Sequence, residues 1–163
     1  MTILDELAAY ARLRVEQDRK AVSLEELKQM CSDRGISAGR ERFLQALKRP
    51  EMSFICEVKK ASPSKGIIAE DFPYLDIARS YETAGADCIS CLTEPRWFLG
   101  SDEIFREIRG TVKTPMLRKD FTVDEYQIYQ AKVMKADCIL LICSMMNLAD
   151  LEKYVKICDS LGI

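Results

Sequence analysis

With 163 residues, 48% of them apolar and 31% charged, the sequence has the length and composition of about one globular domain with a real core. A net charge of −2 gives no electrostatic reason to expect nucleic acid or an anionic membrane surface as a partner. The opening "MTILDELAAYARLRVEQDRK" lacks the apolar core of a signal peptide, and no segment is long enough to span a bilayer, so a cytoplasmic protein is expected.

Three helical stretches come first. In "TILDELAAYARLRVEQ", Ile3, Leu4, Leu7, Ala8, Ala11 and Val15 fall on one stripe, with Thr2 as N-cap. "SLEELKQMC" opens with Ser23 and Glu26 in capping-box spacing. "SAGRERFLQALKRP" is stopped by Pro50. The pattern then changes. Short apolar runs begin near Phe54, Asp87, Pro115 and Asp137, each followed by an amphipathic helical segment. Ser101 starts "SDEIFREIR", Thr122 and Glu125 form a second capping box, and "NLADLEKYVKICDSLG" runs from Asn147 to a stop at Gly162.

This alternation has the spacing of βα units, whose crossover helices keep successive strands parallel. An internal echo supports it: "AGADCISCL" and "MKADCILLI" align with Asp87 on Asp137. The expected organisation is an α/β chain with a helical extension over 1–50 and (βα)4 over 51–163. Four such units fit a doubly wound sheet or half of a (β/α)8 barrel. The lack of a glycine-rich loop after the first strand argues against a dinucleotide fold and tilts the reading towards the barrel. A flavodoxin-like open sheet escapes that objection.

Seven cysteines are scattered at 31, 56, 88, 91, 138, 143 and 158. Five sit in apolar runs and read as small reduced hydrophobes. Cys88 and Cys91 in "CISC" have redox or metal spacing, but on a strand they face opposite ways. Histidine is absent, so acid–base chemistry must fall to Lys, Glu, Asp, Tyr or Cys.

The first strand, "FICEVKK", ends in charges that a core strand should avoid. Alternation puts Ile55, Glu57 and Lys59 on one face, and Phe54, Cys56 and Val58 on the other. In a barrel the first set points inward and the second packs on helices. Glu57 and Lys59 then stand at the C-terminal rim, where such barrels hold their active sites. "TPMLRKDF" repeats the device with Lys119 and Asp120. A lysine at a half-desolvated rim suits proton transfer, although charges at strand ends also simply mark where a strand reaches water. The Ser62, Ser64 and Gly66 turn fits either anion contact or an ordinary turn.

The strings "EVKKASPSKG", "LTEPRWFLGS" and "LRKDFTVDEYQIYQA" followed by "ADCILLI" together resemble indole-3-glycerol phosphate synthase of tryptophan biosynthesis. The likeness runs from end to end and includes the N-terminal helices. The pairing of E-x-K-x-x-S-P-S-x-G with a later K-D-F is specific. The resemblance implies a truncated TIM (β/α)8 barrel, a (βα)4 half-barrel with an N-terminal helical extension. A complete barrel takes about 250 residues, and Ile163 falls where a fifth strand would begin.

It also implies a carboxy-lyase that closes the pyrrole ring of 1-(2-carboxyphenylamino)-1-deoxyribulose 5-phosphate, with loss of carbon dioxide and water, and with no cofactor or metal. By matching motifs, Lys119 is the general acid, Lys59 holds and polarises the substrate, and Glu57 orients both lysines. Ser62 lies near the substrate, and Phe98, Phe121 and Leu140 wall its anthranilate ring. The family's glutamate base, its later asparagine and its phosphate-holding loops have no counterpart here. The chain alone is therefore expected to be inactive. The implied partners are a phosphorylated small molecule and a C-terminal half of the barrel. The alternative is a non-catalytic half-barrel that self-associates through its open sheet edges.

Overall fold

The computed structural model describes residues 2–35 and 38–163, apart from the side chain of Arg34. Helix α1 (Ile3–Ala21) opens with a capping box: the Thr2 hydroxyl accepts from Asp5 N, and the Asp5 carboxylate accepts from Thr2 N. It buries Leu7, Ala8, Ala11 and Val15, whereas Ile3 is exposed, so the apolar stripe starts one turn later than its spacing implied. Helix α2 (Leu24–Arg34) has the box of Ser23 and Glu26. Helix α3 (Gly39–Leu47) ends before Pro50 and has no side-chain cap at Ala38. Ser37, which opens that stretch in the sequence, lies outside the described residues.

Strands β1 (Ile55–Val58), β4 (Cys88–Leu92), β5 (Met116–Lys119) and β6 (Cys138–Ile139) form one parallel sheet in the order β1-β4-β5-β6. Between β1 and β4 comes a small antiparallel hairpin of β2 (Ala61–Ser62) and β3 (Gly66–Ile67). Its turn closes with Lys65 N donating to Ser62 O, and Gly66 follows at φ +65°, the left-handed position that glycine fills without a Cβ penalty. Helices α4 (Tyr74–Thr83), α5 (Asp102–Thr111) and α6 (Glu125–Val133) connect the large sheet, and α7 (Leu148–Leu161) follows β6.

The core shows which way the sheet winds. Val58, Ile89, Cys91 and Met116 on one sheet face pack with Ala78 of α4, Phe105 and Ile108 of α5, and Ala131 of α6. All three crossover helices therefore cover the same face, and the strands are neighbours in chain order. A doubly wound sheet reverses its strand order and is covered on both faces. This winding is that of a (β/α)8 barrel, and it decides the choice that spacing alone left open.

Two expectations fail in detail. Phe54 was expected to pack on helices but is 57% exposed, because β1 lies at the edge of the described sheet with only β4 beside it. Helix α6 is capped by Asp124, whose carboxylate accepts from Tyr126 N, and not by Thr122, which is buried two residues earlier.

The helical extension reaches both ends of the sheet. At the N-terminal ends, Asp87 Oδ2 accepts from Phe54 N and Asp137 Oδ2 accepts from Met116 N, each at 2.8 Å. The two echoed aspartates thus do the same work two units apart. Arg49, just after α3, pairs with Asp87 at 2.8 Å, and Arg109 pairs with Asp137 at 3.0 Å. At the opposite ends, α1 meets the loops after β4 and β5 through Tyr10 against Trp97, Arg14 on Asp120 and Arg19 on Asp124. Val15, Leu27 and Tyr126 bury the seam between α1, α2 and α6.

Candidate active site

On the face opposite the crossover helices, register sets Glu57 beside Ser90, with Lys119 beside Leu92 on the strand beyond. The Glu57 carboxylate joins three groups. Lys59 Nζ donates to Oε1 at 2.9 Å, while Lys119 Nζ and Ser90 Oγ both donate to Oε2 at 3.1 Å. The three charged side chains are half-buried, each about a third exposed, so water and a ligand can both reach them. Burial pushes the Glu57 carboxyl up, but the hydrogen bonds and charges of Lys59 and Lys119 outweigh it and hold the group below its ordinary value. The result is two ammonium groups on one anion, with donors free to turn towards a substrate.

A cavity of about 720 Å³ adjoins this cluster, and Lys59, Ser62 and Phe98 line it together with Ile3 and Leu7 of α1. Exposed Ile3 thus acquires a place: it helps roof the cavity. Phe98 and Phe121 lie 5.9 Å apart between ring centroids, tilted at 39°. Ser62 is buried, and its hydroxyl accepts from Lys65 N, so it shapes the hairpin as well as facing the cavity. Leu140 stands one residue past β6, half-buried, and is not part of that cavity's lining. Another cavity, of about 410 Å³, surrounds the Asp137 ion pairs at the other end of the strands and contains none of these residues.

A family model described as indole-3-glycerol phosphate synthase matches residues 4–163. The chain belongs to the indole-3-glycerol phosphate synthase family. A member from Ruminiclostridium cellulolyticum is 51% identical over 161 residues, covering 99% of this chain and 62% of the relative. Others from Lachnoclostridium phytofermentans and Lacticaseibacillus paracasei are 42% and 45% identical, with 63% and 62% of their lengths covered. The chain thus spans less than two thirds of these indole-3-glycerol phosphate synthases. No helix among the described residues is long and apolar enough to cross a membrane.

Beside the lysines lies a buried polar network that sequence reasoning missed. Asp120, 2% exposed at its side chain, takes two hydrogen bonds from Arg14 and one from Thr93 Oγ1 at 2.6 Å. Arg118, in the middle of β5, donates to Thr93, to the Gln127 carbonyl, to Asp102 and to Gln130. One signal was available: an arginine directly before Lys119 must face the helix side of the strand, where only paired charges survive. Ser90 and Glu94 carried no such signal, because their partners are distant in sequence or are backbone amides.

Proposed function

We propose that this chain supplies the lysine-bearing half of an active site that converts 1-(2-carboxyphenylamino)-1-deoxyribulose 5-phosphate to indole-3-glycerol phosphate. The observation that carries the reading is the convergence of Glu57, Lys59 and Lys119, from two strands, on one carboxylate at one rim of the sheet. Lys119 is the general acid that protonates the substrate ketone as the ring closes. Lys59 holds the substrate and stabilises its negative charge, and Glu57 keeps both ammonium groups aimed. Phe98 and Phe121, with Leu140 further along the rim, wall the aromatic ring, and Ser62 contacts the substrate from the hairpin. A positioned acid of this kind typically contributes 10²–10⁴-fold in rate. The base and the phosphate grip come from the strands that the longer relatives carry beyond this segment, and a cytoplasmic location accompanies the biosynthetic role.

The test is complementation. The chain is mixed or co-expressed with the C-terminal remainder of a relative, and formation of indole-3-glycerol phosphate is followed by its fluorescence. Turnover should appear in the mixture and drop at least about 100-fold with Lys119→Ala. Undiminished turnover in that variant would sink the assignment.

One observation favours a second reading, self-association through an open edge. Phe54, just before β1, and Ile55, its first residue, are 57% and 46% exposed, and β1 pairs only with β4 among the described residues. Sedimentation of the purified chain separates the two: a monomer at high concentration removes edge pairing.

A further inference from the structure

Glu94 lies two residues beyond β4 and is 1% exposed, yet no lysine or arginine side chain donates a hydrogen bond to its carboxylate among the described residues. Its partners are backbone. Oε1 accepts from Arg96 N at 2.9 Å, and Oε2 accepts from Trp97 N at 2.8 Å and from Phe98 N at 3.0 Å. The Glu94 carbonyl in turn accepts from Gly100 N at 2.9 Å, closing the loop on itself. Gly100 has no alternative residue type there, since a Cβ would stand 2.2 Å from Leu92 O.

The loop so formed carries Phe98, which is held from both sides. Its N–H goes to Glu94, and its carbonyl accepts from Ala61 N, the first residue of the hairpin that follows Lys59 and Lys60. Arg96 and Trp97 are turned outwards onto α1: the guanidinium lies 5.5 Å from the Tyr10 ring centre and 4.7 Å from that of Trp97. Tyr10 and Trp97 meet edge-on at 5.6 Å.

Burying a carboxylate costs several kcal/mol unless it is fully hydrogen-bonded. A group that only accepts is the one side chain able to gather three converging N–H donors, and an amide would set its own NH2 against one of them. We propose that Glu94 is the positioning residue of the ring site, fixing the loop so that Phe98 stays packed against Phe121 and the two rings form one wall for a planar aromatic acid. The inference rests on the reading of Phe98 and Phe121 as a ring wall, and it adds a residue that itself touches no substrate.

The experiment compares the full chain with E94Q, using amide hydrogen exchange, emission from Trp97 (the sole tryptophan of the sequence) and saturation-transfer NMR with 2-aminobenzoate. In E94Q the amides of residues 116–119 should stay protected, showing a folded core. Those of Arg96, Trp97 and Phe98 should exchange at least tenfold faster, Trp97 emission should shift to the red, and 2-aminobenzoate should bind about tenfold more weakly. Unchanged exchange at 96–98, or unchanged binding, overturns the proposal. If E94Q does not fold, exchange in the unaltered chain decides: amides at 96–98 as fast as that of exposed Ser64 in the hairpin turn overturn it, and slow ones uphold it. If the unaltered chain does not contact 2-aminobenzoate, the ring-wall reading fails, while faster exchange in E94Q still establishes Glu94's hold on the loop.

Discussion

Arg14 in α1 grips Asp120, the residue directly after Lys119, through hydrogen bonds of 2.6 and 3.1 Å. The contact joins the N-terminal extension to the strand that carries the candidate acid. Asp120 also accepts from Phe121 N at 2.8 Å, so one carboxylate ties α1 to the backbone on which Phe121 stands. Removing one partner of a buried pair leaves the other charge uncompensated, which costs about 3–5 kcal/mol. Asp120→Asn should therefore lower the unfolding free energy in urea by about 3 kcal/mol, a large share of a domain's total. A loss below about 1 kcal/mol would show that the pair does not hold the extension in place.

The same carboxyl sets an acid limit. Burial pushes it up, but the charges of Arg118 and Arg14 outweigh burial and hold Asp120 below its ordinary value. The folded form then binds fewer protons than the unfolded chain, so the stabilisation is complete above the ordinary aspartate value near about 4 and is lost as pH falls through the lower folded value. Glu57 and Glu82 are lowered too and contribute in the same direction. Stability measured from pH 6 to 2 should fall with acid in the unaltered chain and fall less steeply in Asp120→Asn. Equal slopes would remove Asp120 from the acid response.

Glu57→Gln separates function from stability. Its two lysine contacts are a third exposed, and such pairs are worth about 0–1 kcal/mol. Unfolding free energy should change by less than about 1 kcal/mol. The ammonium groups of Lys59 and Lys119 then lose their shared counter-charge and stand next to each other. Acetylation by a limiting acylating reagent, read by mass spectrometry, should speed up at Lys59 and Lys119 and stay constant at exposed Lys113. Constant rates at all three would mean that Glu57 does not govern the lysines.

The thiols give a check on the sheet. Cys88 and Cys91 on β4 are fully buried, and burial pushes both up to about 12, so neither offers a thiolate near neutral pH. Cys143, by contrast, is exposed. A maleimide should label Cys143 within minutes and spare Cys88 and Cys91 until urea unfolds the chain. Early labelling at either strand position would mean that β4 opens locally.

What could be read in the sequence was whatever repeats at short range. Strand starts near Phe54, Asp87, Pro115 and Asp137 came within a residue because apolar runs and punctuation are local, and caps such as Ser23, Ser101 and Asn147 lie within one turn of what they bind. Strand alternation set Glu57, Lys59 and Lys119 at one rim, the resemblance added their roles, and the fold gathers them on one carboxylate. Hidden from any window were the partners across the chain: Arg14 with Asp120, Arg118 with Asp102, and Glu94 with three backbone amides. The position of Thr122 misled because Asp124 competes for the same cap, and the first strand misled because Phe54 sits at a sheet edge where β1 has only β4 beside it among the described residues.

The echo that first suggested repeated units also makes the last prediction. Gly85 and Lys135 occupy matching places just after α4 and α6, and both have positive φ, at +84° and +63°. A side chain in that region costs about 1–2 kcal/mol, while glycine loses about 0.5–1 kcal/mol more chain entropy on folding. Nothing lies within 4 Å of a Cβ added at Gly85, so Gly85→Ala should destabilise through its backbone alone, by about 1 kcal/mol. Lys135→Gly relieves the same strain at a smaller entropic loss and should raise stability by about 0.5 kcal/mol. Opposite signs in two otherwise similar urea titrations are the expected outcome. A loss at both positions would mean that the Lys135 side chain, and not the helix-ending backbone shared by the two units, decides stability there.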